Sequence, residues 1–182
     1  MLEIDTTVLV IVDVQGKLAR LMFDREKLFA NCVVLTKTAK ILDIPIIWCQ
    51  QNPKALGPTI PELTELLSDD TPIDKMCFSC AAHPDFLDRL NRPNSSNRRQ
   101  VVICGIETHI CVRQTALDLL DRDFDVHVIA DAVSSRTESN KNIALSKMRD
   151  DGVSISSTEA VLFELLKTAE HPNFKEIAKL IK

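Results

Sequence analysis

Val102-Ile-Cys-Gly-Ile-Glu-Thr-His-Ile-Cys111 decides the fold class of this 182-residue chain. The apolar run 101–104 reads as a buried strand, and Gly105 ends it. Thr108 can cap a helix, because Val112, Thr115, Ala116, Leu119 and Leu120 then recur at helical spacing. A strand that passes at once into a helix is the unit from which parallel α/β sheets are built. Cys111 falls in the first turn of that helix, where free backbone N–H groups and the positive end of the helix dipole favour a thiolate. The same position suits a buried cysteine packing as a small hydrophobe, so this stretch alone leaves both roles open.

Working outward, residues 7–12 form a β-branched apolar run ending at Asp13, as a strand buried on both faces should. Residues 27–42 have helix length and 44–49 make a second strand, with Pro45 at its entry. A turn-rich loop spans 52–59, a short helix 60–67, an extended segment 73–78 and a helix 84–90. Residues 91–99 read as a polar surface loop, the best place for an insertion or a nick. Strands are expected at 100–104, 125–130 and 153–156, and helices at 139–149, from Thr158 onward and at 173–181. The alternation predicts a single domain over residues 1–182. It would be a three-layer α/β/α sandwich, Rossmann-like, with a mostly parallel sheet of about six strands and right-handed crossovers. No Gly-rich dinucleotide fingerprint is present. Ligands of such sheets bind beyond the carboxyl ends of the strands, and Asp13, Gln50, Gln51 and Cys111 all fall there.

Composition narrows the function. The net charge is −4 with signs interspersed, and Arg98-Arg99 is an isolated basic pair, so nucleic-acid binding has no electrostatic footing. No apolar run approaches the ~20 residues of a membrane span. Residues 1–7 resemble neither a secretory signal nor a transit peptide, which makes a cytoplasmic protein the expectation. The cysteines at 32, 49, 77, 80, 104 and 111 are spread over strands and helices, as reduced thiols rather than a disulfide framework. Tyrosine is absent and Trp48 stands alone, against an aromatic interface or a base-stacking platform.

Three segments carry the chemistry: Ile11-Val-Asp-Val-Gln15, Ile73-Asp-Lys-Met-Cys-Phe-Ser79 and Gly105-Ile-Glu-Thr-His-Ile-Cys-Val112. In this order they resemble the isochorismatase-like cysteine hydrolase superfamily, which includes nicotinamidase and N-carbamoylsarcosine amidase. Its signatures are Asp-x-Gln after the first strand, Lys-x-x-(Phe/Tyr)-Ser and Gly-(Val/Ile)-x-Thr-x-x-Cys-Val. Gln114-Thr115-Ala116 and Ala130-Asp131-Ala132 also fit, and the resemblance covers nearly the whole chain.

The resemblance implies that Cys111 is the nucleophile, Asp13 the general base and Lys75 the cation that holds both oriented. The backbone N–H groups of Glu107 and Cys111 would bind the oxyanion across a cis Ile106–Glu107 peptide. A cationic neighbour and a helix N-terminus together would bring the thiol below pH 7. Candidate pocket walls are Gln15, Phe23, Trp48, Phe78, Thr108, His109 and Ile110. The reaction implied is hydrolysis of a carbon–nitrogen bond of a small amide through a cysteine thioester. A partner-binding protein that retains the triad, or a hydrolase of an ester or vinyl ether, stands as the alternative. A small-molecule substrate and a homo-oligomer follow from the resemblance, with no cofactor.

The departures also inform. Nicotinamidases carry an Asp-x-His metal site after the second strand, where this chain reads Cys49-Gln-Gln-Asn-Pro53, so no metal is expected. Isochorismatases that cleave a vinyl ether lack the cysteine. Gln51-Asn-Pro-Lys-Ala-Leu-Gly-Pro-Thr-Ile-Pro-Glu-Leu63 resembles the eukaryotic isochorismatase-domain-containing proteins. Cys77 and Cys80, with His83, are too few for a closed zinc site and lie inside the lysine motif.

Overall fold

Every residue of Thr7–Val12 is buried, and this strand, β1, is central to the sheet. The structure is a computed structural model and describes residues 1–68, 71–91 and 98–181. Strands β2 (Ile46–Gln51), β3 (Ile73–Lys75), β4 (Gln100–Ile106), β5 (Asp125–Ser134) and β6 (Ser154–Ser156) complete the sheet. Their order is β3-β2-β1-β4-β5-β6 and every neighbouring pair is parallel. The chain walks from β1 outward to β3, then returns to start again at β4. Carboxyl ends of β1 and β4 therefore flank the point where the strand order reverses, the natural crevice of an open α/β sheet.

The helices are α1 (Gly16–Ala19), α2 (Arg25–Ile41), α3 (Pro53–Leu56), α4 (Pro61–Thr64), α5 (Pro84–Leu90), α6 (Arg113–Leu120), α7 (Glu138–Asp150), α8 (Thr158–Leu166) and α9 (Phe174–Ile177). Strand parity assigns them to layers, since successive side chains point to opposite faces. Leu9, Ile11, Trp48, Val102 and Cys104 pack with Leu28, Phe29 and Leu35 of α2 and Leu162 and Leu165 of α8. Val8, Val10, Val12, Ile47, Val101 and Ile103 pack with Phe86 of α5, Leu119 of α6 and Met148 of α7. The three-layer expectation holds, with six strands. Asp131 ties two layers together: its Oδ1 accepts from the Thr158 N–H at 2.8 Å and the Thr158 hydroxyl at 2.9 Å, at the start of α8.

Several boundaries differ from the sequence expectation. The 52–59 loop contains the short helix α3. The terminal helix is only α9, followed by single turns. β5 runs on to Ser134, past a register irregularity opposite Ile103 and Gly105. Residues 92–97 of the expected polar loop lie outside the described residues. Among the described residues no helix is long and apolar enough to cross a membrane.

The most consequential difference is at Gly105. It does not end β4, which continues to Ile106. Instead it has φ +118° and pairs with Val12, and a Cβ there would lie 2.0 Å from the Val12 carbonyl oxygen. Glycine is thus required for the close approach of β4 to β1 just before Asp13. Gly105→Ala is expected to cost at least about 2 kcal/mol in urea unfolding, through positive-φ strain and overpacking. An unchanged midpoint would show that the two strands can separate at no cost.

Candidate active site

Asp13 stands where β1 stops. Its backbone is left-handed, φ +51°, which aspartate tolerates better than most residues. Its N–H still donates to the Cys49 carbonyl at 3.2 Å, so the turn starts from a strand held on its β2 side. Lys75 arrives from β3, in register with Gln51. The two side chains meet with Lys75 Nζ 2.7 Å from Asp13 Oδ2, and both are essentially sealed from solvent, at 0% and 3% exposure. The ammonium also donates to Gln51 Oε1 at 2.9 Å and to the carbonyls of Phe78 at 3.1 Å and Cys77 at 3.3 Å. A buried cation is tolerable only when so fully satisfied.

Cys111 comes from the other half of the sheet. Residues Thr108–Val112 form a wide turn before α6, closed by the Val112 N–H on the Glu107 carbonyl at 3.3 Å. Thr108 is not the helix cap expected, because its buried hydroxyl has no hydrogen-bond partner among the described residues. The Cys80 N–H donates to Thr115 Oγ1 at 2.9 Å, fastening the loop after Lys75 onto α6. Thr115 therefore gives its motif a structural role.

Asp13, Cys111, Gln51 and Glu107 supply the polar wall of a cavity of about 120 Å³, and Leu18, Leu56, Phe78, Ile106 and Ile110 the apolar wall. One Asp13 oxygen takes the lysine. The other, Oδ1, is buried with no hydrogen-bond partner among the described residues, an acceptor left open beside the thiol. Burial pushes the Asp13 carboxyl above its ordinary 3.8, against the charge and hydrogen bond of Lys75. Burial also works to lower the Lys75 ammonium, but Cys80, Asp13 and Cys111 outweigh it and leave it above its ordinary value.

The thiol is where the expectation fails. Burial, and next the Asp13 charge, push Cys111 up rather than down, with Lys75 only partly opposing. Lys75 is already neutralised by Asp13, and α6 begins only at Arg113, beyond the wide turn. Burial and the neighbouring carboxylate thus favour the protonated form of Cys111.

The structure brings Asp13, Lys75 and Cys111 together and corrects much of the expected wall. Phe78 and Ile110 line the cavity. Trp48 faces the core on the α2 side of the sheet. Gln15 is wholly buried and serves as a fastener: its Oε1 accepts from the Gln51 N–H at 2.6 Å, and its Nε2 donates to the carbonyls of Gln51 at 3.2 Å and Gly57 at 2.8 Å. Phe23 is partly exposed, its N–H donating to the Ser135 carbonyl, and His109 Nδ1 pairs with Ser135 Oγ at 2.9 Å. Neither these residues nor Thr108 are among the wall residues.

Glu107 sits in the cavity wall after a cis Ile106–Glu107 peptide, and its Oε2 accepts from the Arg136 backbone N–H at 3.0 Å and Nε at 3.2 Å. Sequence reasoning does not find Gln51, Leu18 and Leu56 as wall residues; the polar end of β2 is the only signal for Gln51. Where nicotinamidases hold metal, the Gln50 side-chain oxygen accepts from the Thr59 N–H at 3.0 Å and that of Gln51 from Lys75. Those donor atoms do not fit a metal site.

Residues 7–160 match the isochorismatase domain family. The chain is 41% identical to isochorismatase domain-containing protein 2 of Danio rerio over 176 residues, covering 96% of this chain and 86% of that protein. The solved MAR1 ribonuclease of Caenorhabditis elegans superposes with a TM-score of 0.91 at 38% identity, over 99% of this chain and 91% of that one. The YcaC gene product of Escherichia coli, described as an octameric hydrolase of unknown specificity, gives a TM-score of 0.91 at 25% identity, over 99% of this chain and 88% of that one. With this sheet, this order of motifs and this identity to its relatives, the chain belongs to the isochorismatase family.

Proposed function

We propose that the chain is a cysteine hydrolase that opens a carbon–nitrogen bond of a small amide through a thioester on Cys111. The observation that carries this reading is the open Oδ1 of Asp13 in the same cavity wall as Cys111, with Lys75 clamping the other oxygen. Cys111 Sγ attacks the amide carbon while its proton passes to Asp13 Oδ1. The carbonyl oxygen becomes an oxyanion, bound by the backbone N–H groups of Glu107 and Cys111. The carbon–nitrogen bond then breaks, Asp13 returns the proton to the nitrogen, and ammonia or an amine leaves. Water attacks the thioester, giving its proton to Asp13 and thence to sulfur, and the carboxylic acid departs. Because burial raises Asp13, it is a stronger base than a free carboxylate, which offsets the raised thiol.

A cavity of about 120 Å³ favours a small molecule, since drug-sized ligands take pockets of ~300–1,000 Å³. The net charge of −4 likewise argues against the polynucleotide substrate that the name of the Caenorhabditis relative suggests. Octameric YcaC and the exposed Leu21, Met76 and Phe78 support assembly into a homo-oligomer.

The test is ammonia release from a panel of small primary amides, with the best substrate measured across pH. Turnover needs Asp13 ionised, so kcat/KM should rise with pH through an acid limb above the ordinary 3.8 of an aspartate. Because Lys75 lowers Asp13, Lys75→Met should move that limb further up. A limb unmoved by the substitution would mean that Asp13 is not the base.

A further inference from the structure

We infer that the substrate is uncharged: the cavity takes small neutral carboxamides and turns away those bearing a carboxylate. This rests on the nucleophile reading of Cys111 and goes beyond it to the class of substrate.

The cavity wall, among the described residues, contains two carboxylic residues, Asp13 and Glu107, and neither lysine, arginine nor histidine. The cations that balance these acids stand behind them. An ammonium has three N–H donors, and Lys75 Nζ already has four acceptors within 2.7–3.3 Å: Asp13, Gln51, Phe78 and Cys77. It has no donor to spare for a ligand. Arg136 is turned onto Glu107 through its Nε and its backbone N–H and is not a wall residue. The Gln51 amide, the remaining polar group, points its oxygen at Lys75 and donates from Nε2 to the Met76 carbonyl at 2.9 Å.

A substrate carboxylate would leave water for a mostly apolar space and meet two acids and no free cation. The oxyanion donors are reserved for the scissile carbonyl. An amide NH₂ finds the opposite situation: the unpartnered Oδ1 of Asp13 is there to accept from it. Leu18, Leu56 and Phe78 leave room for a short alkyl acyl group.

Iodoacetamide and iodoacetate test this directly, because both are attacked at the same carbon and lose iodide, differing only in carboxamide against carboxylate. Alkylation of Cys111 would be monitored by mass spectrometry at fixed mildly alkaline pH, with N-acetylcysteinamide as reference thiol. The rate ratio of amide to acid at Cys111 is expected to exceed the reference ratio by at least about tenfold. Comparing ratios removes the effect of the raised thiol, which slows both reagents alike.

Leu56→Lys, which sets an ammonium in the wall, should narrow the excess; a purely steric origin would leave it unchanged and overturn the electrostatic argument. If Cys111 in the parent labels with both reagents at the reference ratio, the neutral-substrate inference fails while the nucleophile reading stands. If neither reagent labels Cys111, in the parent or in Asp13→Asn, the cavity admits no small amide and both fail together.

Discussion

Lys75→Met is expected to lose about 3–5 kcal/mol of unfolding free energy at neutral pH and most of its turnover, with enough left to follow the pH limb. The lysine head and the Asp13 carboxylate are at most 3% exposed, so removing one partner strands the other in a medium that cannot solvate it. Restoring neutrality should restore the fold: Asp13→Asn combined with Lys75→Met should recover most of the stability and none of the activity. The pH dependence has a definite sign. Without Lys75, Asp13 rises further above its unfolded value, so the folded single variant holds a proton that the unfolded chain has released. Its stability therefore falls as pH rises through the carboxylate range, and its deficit against the parent is smallest in acid. Urea midpoints of the parent, Lys75→Met and the double variant at acid and neutral pH make the measurement. A single variant as stable as the parent at neutral pH would mean that Asp13 and Lys75 are not buried against each other.

Residues 7–12 show why much of the fold is legible in the sequence. Only a strand covered on both faces has six successive buried positions with no polar break, and that implies a parallel sheet between helix layers. The motif residues are legible because each closes a strand, and the carboxyl ends of parallel strands share one rim. The rest depends on contacts that the sequence does not display. Trp48 lies next to Cys49, and strand parity sends the two to opposite faces; a large aromatic near the site reads as a wall when it belongs to the core. Gly105 carries the signature of a strand end, yet it serves the approach of two strands whose pairing only the fold reveals. Gln15 and Gln51 both read as polar groups at strand ends; that one clamps the other's backbone, which in turn presents Oε1 to Lys75, is a tertiary fact. The thiol misleads for a related reason. The motif shows a lysine near the cysteine but not that Asp13 has already taken up its charge.

Cys111→Ala is expected to lower ammonia release by about 10⁴-fold or more, the scale on which removing a covalent nucleophile acts. The variant should keep its fold to within about 1 kcal/mol, because the deleted sulfur borders an existing cavity and leaves no new enclosed void. Cys111→Ser is the sharper probe. It retains a group that can hydrogen-bond Asp13 Oδ1, so any merely structural duty of the thiol survives. In the same buried place a hydroxyl is a weaker acid and a poorer nucleophile than a thiol, and a carboxylate activates it far less well. If serine behaves as alanine does in turnover and as cysteine does in stability, the sulfur is needed for its nucleophilicity. If alanine instead retains parental turnover, the bond is not cleaved through a thioester. Asp13, held by Lys75, would then be the group left to move a proton in the cavity, which is chemistry suited to a vinyl ether rather than an amide.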